Sequence, residues 1–299
     1  LIDSSGIPSL GPPLPSAVLT TARIAAATTR LMPASPLVGR FVTLHAVADD
    51  EALRPWLPRL CAAMNGGAYA GHPAYDAEAL IYRFLRSASS VVTGGGGDGG
   101  AAAASSAVPA SPAADAGGDS SGSGSGATVP DALIELHARN LVAEPSATLF
   151  VVVDNESGAV AGRTAFLANR GADLVVEIGA VAISPPFQGT AVNTEATMLL
   201  LRHAFERGYR RVEWKCNARN ERSRAAATRM GFVFEGVFRR HMIVSGVSRD
   251  TAWYAVTDED WCGVGPKLAV WVASVEAVAL NRRRAAALAA LREAAGAGE

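Results

Sequence analysis

The sequence predicts a mixed α/β fold: one central sheet with flanking helices in a single domain. Three observations carry this. Strand-like alternation comes first, at residues 41–45, 148–153 and 160–167. A strand–helix–strand–helix centre follows, with a long strand at 174–183, a helix at 194–207, a strand at 211–216 and a short helix at 220–230. Strand-like runs at 232–235, 238–244 and 251–256 then close the body. A doubly wound nucleotide fold would need more alternating units than these.

Each element has a local cause. Residues 49–60 read as a helix weakened by Pro55 and Pro58, because proline lacks the N–H that the helix interior needs. Glu156-Ser-Gly158 makes a hairpin turn between two strands. The helix at 194–207 has apolar residues at 196, 199, 200 and 204 and ends at Gly208. In 211–216, Val212, Trp214 and Cys216 share one face, and Glu213 and Lys215 share the other. Gly231 stops the short helix, and residues 270–292 read as a long Ala-rich helix with a basic triplet at 282–284.

Residues 1–36 form an N-terminal extension, nearly free of acids, that fits an organelle transit segment and a disordered tail equally. Residues 87–128 are a Gly/Ser/Ala-rich insertion without an aromatic residue, too poor in apolar area to offset the entropy of ordering it. The body is therefore expected at 37–261, interrupted by that insertion, with a helical extension at 262–299. A compartment that is cytoplasmic or organellar, not secreted, is expected.

The chain has 299 residues and a formal net charge of -1, which argues against a dedicated nucleic-acid binder. No run of about 18 strongly apolar residues suggests a membrane span. Three scattered cysteines, Cys61, Cys216 and Cys262, have no metal-ligand spacing, so no metal is expected.

The most informative stretch begins at Val181. An apolar strand meets Pro185-Pro186, a loop of small residues follows at 188–194, and a helix opens. That arrangement offers backbone N–H groups to a phosphate. Gly189 and Ala191 let a ligand approach the backbone, and Asn193 or Thr194 can cap the helix. The loop lacks the Gly-Lys-Ser/Thr of a P-loop and the Gly-x-Gly-x-x-Gly of a dinucleotide fold.

The order of motifs adds a resemblance. Glu177-Ile-Gly-Ala-Val-Ala-Ile-Ser-Pro-Pro-Phe-Gln-Gly189, then Asn193-Thr-Glu-Ala196, then Asn220-Glu-Arg-Ser-Arg224, then Arg229-Met-Gly-Phe-Val-Phe-Glu-Gly236, resembles the GNAT superfamily of acyl-CoA-dependent N-acetyltransferases. It looks most like the branch that includes the ribosomal-protein alanine acetyltransferases. The resemblance implies a mostly antiparallel sheet whose middle strands splay around acetyl-CoA, the co-substrate. It also implies that Val181 and Ile183 meet the pantetheine arm through main-chain groups. Gln188, Gly189, Thr190, Ala191, Asn193 and Thr194 would hold the diphosphate. Asn220 matches a family Asn near the arm, and Ser223 a Ser near the thioester. The family usually has Gly where Ala191 stands, Ala or Gly at 193, and often a Tyr acid where Ala227 stands.

The implied function is transfer of an acetyl group to a primary amine by direct attack. The acceptor is a protein N-terminus, an amino-acid derivative or a small amine, with neither nucleic acid nor membrane as partner. The alternative is a weak or inactive CoA-binding module on the same fold. An ammonium has no lone pair, so the reaction needs a base. Glu177 is the first candidate, with apolar neighbours that raise its proton affinity. A structural ion pair with an arginine such as Arg163 or Arg240 is the competing role. His241 is the second candidate base. Asp250 reads either as a contact for a cationic substrate or as a turn cap.

Overall fold

The structure, a computed structural model, describes residues 31–64, 131–244, 246–274 and 276–281. The insertion at 87–128, the triplet at 282–284 and most of the N-terminal extension lie outside the described residues.

Among the described residues, eight strands form one sheet in the order β1-β2-β3-β4-β5-β6-β8-β7. β1 (Leu37–Val38), β2 (Val42–Val47), β3 (Thr148–Asp154), β4 (Val160–Arg170) and β5 (Val175–Ile183) pair antiparallel in succession. β5 pairs parallel with β6 (Arg211–Asn217). β6 then pairs antiparallel with β8 (Val247–Thr257), and β8 with the edge strand β7 (Val233–Val244). This is the mostly antiparallel mixed sheet that the sequence predicts.

Among the described residues the helices are α1 (Asp50–Leu53), α2 (Leu57–Met64), α3 (Asp131–Ala143), α4 (Val192–Glu206), α5 (Glu221–Arg229) and α6 (Asp258–Ala273), and residues 276–281 are helical. Period-two alternation divides the core between the two faces of the sheet. In β3, Leu149 and Val151 pack with Leu53, Leu60 and Ile134 of α1, α2 and α3. Phe150 and Val152 pack in the opposite core, with Leu199 and Leu200 of α4, Met230 after α5, and Leu268 of α6.

Four sequence expectations need correction. The helix expected at 49–60 breaks into α1, a 3-10 turn at Arg54–Trp56 that carries Pro55, and α2. The strands expected at 232–235 and 238–244 are one strand, β7, whose register shifts between Phe234 and Gly236 and again between Phe238 and Met242. The helix expected over 270–292 is divided within the described residues: one helix starts earlier, at Asp258, and residues 276–281 are helical again after a break at Ser274, while 282–292 lie outside the described residues. Thr257 and Asp260 form a reciprocal capping box at the start of α6, which ends at Ala273 despite Pro266 inside it. The body also extends past both expected limits: Leu31 and Leu268 are buried in the main core, and the boundary at 261 falls inside α6.

Candidate active site

The parallel ladder between β5 and β6 runs from Val175↔Arg211 through Glu177↔Glu213 and stops there. Beyond it β5 stays with β4 as far as Ile183, and β6 stays with β8 as far as Asn217. A bulge accompanies the divergence. β5 places Ala180 and Val181 opposite the single residue Thr164, with Ala180 at φ 49°. A bulge adds twist and bends its strand. A cavity of about 480 Å³ lies where the strands part, and Glu177, Val181, Asn220, Ser223 and His241 all line it.

Glu177 is almost fully buried. Its Oε2 lies 2.6 Å from Lys215 Nζ, so its partner is Lys215 rather than Arg163 or Arg240. Alternation explains the pair: Glu213 and Lys215 occupy the β6 face that Glu177 occupies on β5. Burial pushes the Glu177 carboxyl above its ordinary range, and Lys215 draws it back. The Lys215 ammonium also sits 4.4 Å from the Trp253 ring centroid and 4.0 Å from Glu213 Oε2. Glu213 is tied the other way, to Arg170 at 2.8 Å and Arg211 at 3.1 Å.

Asn220 caps α5, its Oδ1 accepting the Ser223 N–H at 3.1 Å. The Ser223 hydroxyl accepts from Trp214 Nε1 at 3.0 Å. Ala227, where relatives often place a Tyr, is completely buried in the core. His241 reaches the cavity through a second bulge. Residues 239–241 oppose Asp250 alone, Arg240 adopts φ 51°, and Asp250 Oδ1 accepts the Arg240 N–H at 2.7 Å. Asp250 thus caps the bulge that aims His241, whose Nδ1 lies 3.0 Å from Thr251 Oγ1.

The loop after β5 is more committed than its sequence suggests. Gln188 donates from Nε2 to the Ile183 carbonyl at 2.9 Å, tying loop to strand, and Ile183 itself packs in the core outside the cavity. Thr190 Oγ1 donates to the Phe187 carbonyl at 2.6 Å. Gly189 has φ +69° and open space where a Cβ would stand. Ala191 has φ −71°, so its methyl group is unstrained. Neither Asn193 nor Thr194 caps the helix: α4 begins at Val192, and both fall in its first turn. Their N–H groups precede the i−4 ladder. Thr194 Oγ1 is buried without a hydrogen-bond partner among the described residues. The Ala191 N–H is taken by Asn281 Oδ1 at 3.2 Å, from 90 residues away in sequence. Just after the loop, the buried Glu195 carboxylate accepts the N–H groups of Arg40, Phe41 and Val42 at 2.6, 2.7 and 2.9 Å. Gly39 is required beside it, since a Cβ there would lie 2.5 Å from the Glu195 carboxyl carbon.

Sequence reasoning missed Lys215, His137 and Asn281. His137 lines the cavity from α3, and its Nδ1 accepts from the buried Arg163 guanidinium at 2.8 Å. Burial, then the Arg163 charge, lowers its pKa to about 3, so the imidazole is neutral. Lys215 had a signal, its shared face with Glu213; Asn281 had none.

Residues 128–233 match the family model described as Acetyltransferase (GNAT) domain. A relative in Bacillus subtilis (strain 168), "Putative ribosomal N-acetyltransferase YdaF", is 34% identical over 82 residues, which are 27% of this chain and 45% of that protein. The chain therefore matches a little under half the length of that relative. Among solved structures, a GCN5-related N-acetyltransferase from Brucella melitensis has a TM-score of 0.59 at 26% identity, covering 83% of this chain and 89% of that one. A structure described as "a probable acetyltransferases (GNAT family)" from Chromobacterium violaceum ATCC 12472 gives 0.55 at 27% identity, covering 85% and 99%. The fold, the parted strands and the motif order agree with that match, and residues 128–233 are similar to a GNAT acetyltransferase domain.

Proposed function

We propose that this chain moves an acetyl group from acetyl-CoA to a primary amine by direct attack. The observation that carries the reading is the parting of β5 from β6 immediately after Glu177, with a buried carboxylate at the floor of the opening. Past Glu177 no strand among the described residues pairs across the β6-facing edge of β5, so main-chain groups near Val181 are available to a pantetheine arm. The start of α4 suits a diphosphate: exposed Gly189 leaves room, and the N–H groups of Asn193 and Thr194 stand at the positive end of a 15-residue helix. Acetyl-CoA supplies the activated thioester.

The chain's own groups supply the rest. Glu177 takes the acceptor's ammonium proton, and the burial that raises its proton affinity makes it a stronger base. Lys215 keeps that carboxylate oriented. Ser223 is the hydroxyl nearest the role of thiolate acid. The acceptor stays at the level of a primary amine: a protein N-terminus, an amino-acid derivative or a small amine. Two observations favour the weak or inactive module instead: Ala227 is buried in the core, and Ser223 is already bonded to Trp214.

Free-thiol release from acetyl-CoA against a panel of amines, including ribosomal-protein N-terminal peptides, tests the reading. Turnover on any amine supports it. Binding without turnover on any acceptor supports the inactive module, and no binding of acetyl-CoA would sink both.

A further inference from the structure

The reaction proposed above consumes a primary amine, and the chain holds one inside the cavity. It contains 25 arginines and only two lysines, Lys215 and Lys267. Charge alone does not call for lysine at 215. Arginine binds a carboxylate with better geometry, and this chain uses arginine nearly everywhere else. What lysine brings, and a guanidinium does not, is an amine that becomes nucleophilic on losing a proton. The Lys215 ammonium lies 2.6 Å from Oε2 of Glu177, the group that would deprotonate an acceptor. Its side chain is only 17% exposed, and it lines the cavity at the fork where the strands part.

We propose that Lys215 is a self-acetylation site: its Nζ takes the acetyl group of acetyl-CoA when no other amine occupies the cavity. The proposal rests on the acetyl-transfer reading. Glu177 accepts one ammonium proton, the Nζ lone pair adds to the thioester carbonyl carbon, and the C–S bond breaks as the N–C amide bond forms. Of the two protons the nitrogen sheds, one ends on the departing thiolate and the other passes through Glu177 to solvent. The Trp253 ring and Glu213 stabilise the ammonium and so slow the step. Self-acetylation is accordingly slower than transfer to a free acceptor. The amide formed removes the positive charge beside Glu177 and cannot pass its acetyl group on.

The full chain, incubated with acetyl-CoA and no acceptor, is digested with trypsin and read by mass spectrometry. Acetylation blocks cleavage after Lys215, so an uncut, acetylated peptide 212–219 is expected. Exposed Lys267 is the internal control for uncatalysed reaction. Lys215 should be labelled ahead of Lys267 in the native protein and should lose that lead in urea. Glu177→Gln should slow labelling of Lys215 by about a hundredfold and leave Lys267 unaffected. Lys215→Arg should remove the label. Labelling of Lys267 alone, equal labelling of both, or a hydroxylamine-labile label on neighbouring Cys216 would each overturn the proposal. So would an unmodified Lys215 in protein that acetylates added amines, and that outcome leaves the transfer reading standing. Failure to bind acetyl-CoA at all, measured by calorimetry, would remove that reading and this proposal together. Should Glu177→Gln not fold, the native-against-urea comparison decides alone.

Discussion

Strands β5 and β6 are two different structures along their length. From Val175 to Glu177 they are joined by a parallel ladder and flanked by an ion-pair chain, with Glu213 held by Arg170 and Arg211, and Arg211 in turn bonded to Glu235 at 2.7 Å. Past Glu177 the ladder is gone, the backbone bulges at Ala180, and the walls belong to a cavity. The two carboxylates that face each other across the last rung divide the work. Glu213 looks back into the joined half, and Glu177 looks into the open half through one lysine.

That contrast is sharpest in two substitutions. Glu177→Gln should lower acetyl transfer by about a hundredfold or more while sparing acetyl-CoA affinity, because the proton step is lost while the amide oxygen still accepts from Lys215. Glu213→Gln should instead lower stability by about 1–2 kcal/mol in chemical denaturation, since it takes a carboxylate from Arg170 and Arg211. If the two variants exchanged phenotypes, the division of labour would be wrong.

The next effect belongs to the loop. Asn281→Ala should cost about 1–3 kcal/mol, because it leaves the buried Ala191 N–H without an acceptor. A ligand oxygen can replace the lost one, so acetyl-CoA should raise the melting temperature of this variant more than that of the parent. An equal rise would mean that the Ala191 N–H does not face the ligand.

His137 reports on the open half through pH. Its folded pKa, about 3, lies below the reference value of 6.5, so between those values the unfolded chain binds the extra proton. Its contribution is therefore complete above pH 6.5 and lost as pH falls, at about 1.4 kcal/mol per unit. Urea titrations at several pH values should show a shallower acid loss in His137→Gln; parallel curves would contradict the neutral assignment.

The smallest effect tests the bulge. Ala180→Gly relieves a left-handed backbone angle and should be neutral or stabilising by up to about 1 kcal/mol. Ala182→Gly, two residues on in a regular pair, should cost about 0.5–1 kcal/mol. Equal losses would remove Ala180 as a strained position.

Much of this arrangement is legible in the sequence, because it follows from alternation and from the order of elements. Glu213 and Lys215 sharing one face of β6 is a period-two statement, and it already contains the partner of Glu177. The bulges are not legible. A bulge is a property of two strands together, and neither Ala180 nor Arg240 carries the residue type that a left-handed angle favours. Gly236 reads as a break although β7 runs through it. Gly263, Gly265 and Pro266 likewise hide α6, whose capping box and burial against α4 outweigh their poor propensity. Asn281 reaches Ala191 only once that fold exists.

Glu195 gives the candidate diphosphate loop a long lever. The first turn of α4 bears both the candidate diphosphate donors and the carboxylate that gathers the amides of Arg40, Phe41 and Val42 at the opposite end of the sheet order. A diphosphate bound at the start of that helix should therefore show as added protection of three main-chain protons far from the proposed chemistry. Their hydrogen-exchange rates would then report whether the loop is loaded, without following the reaction.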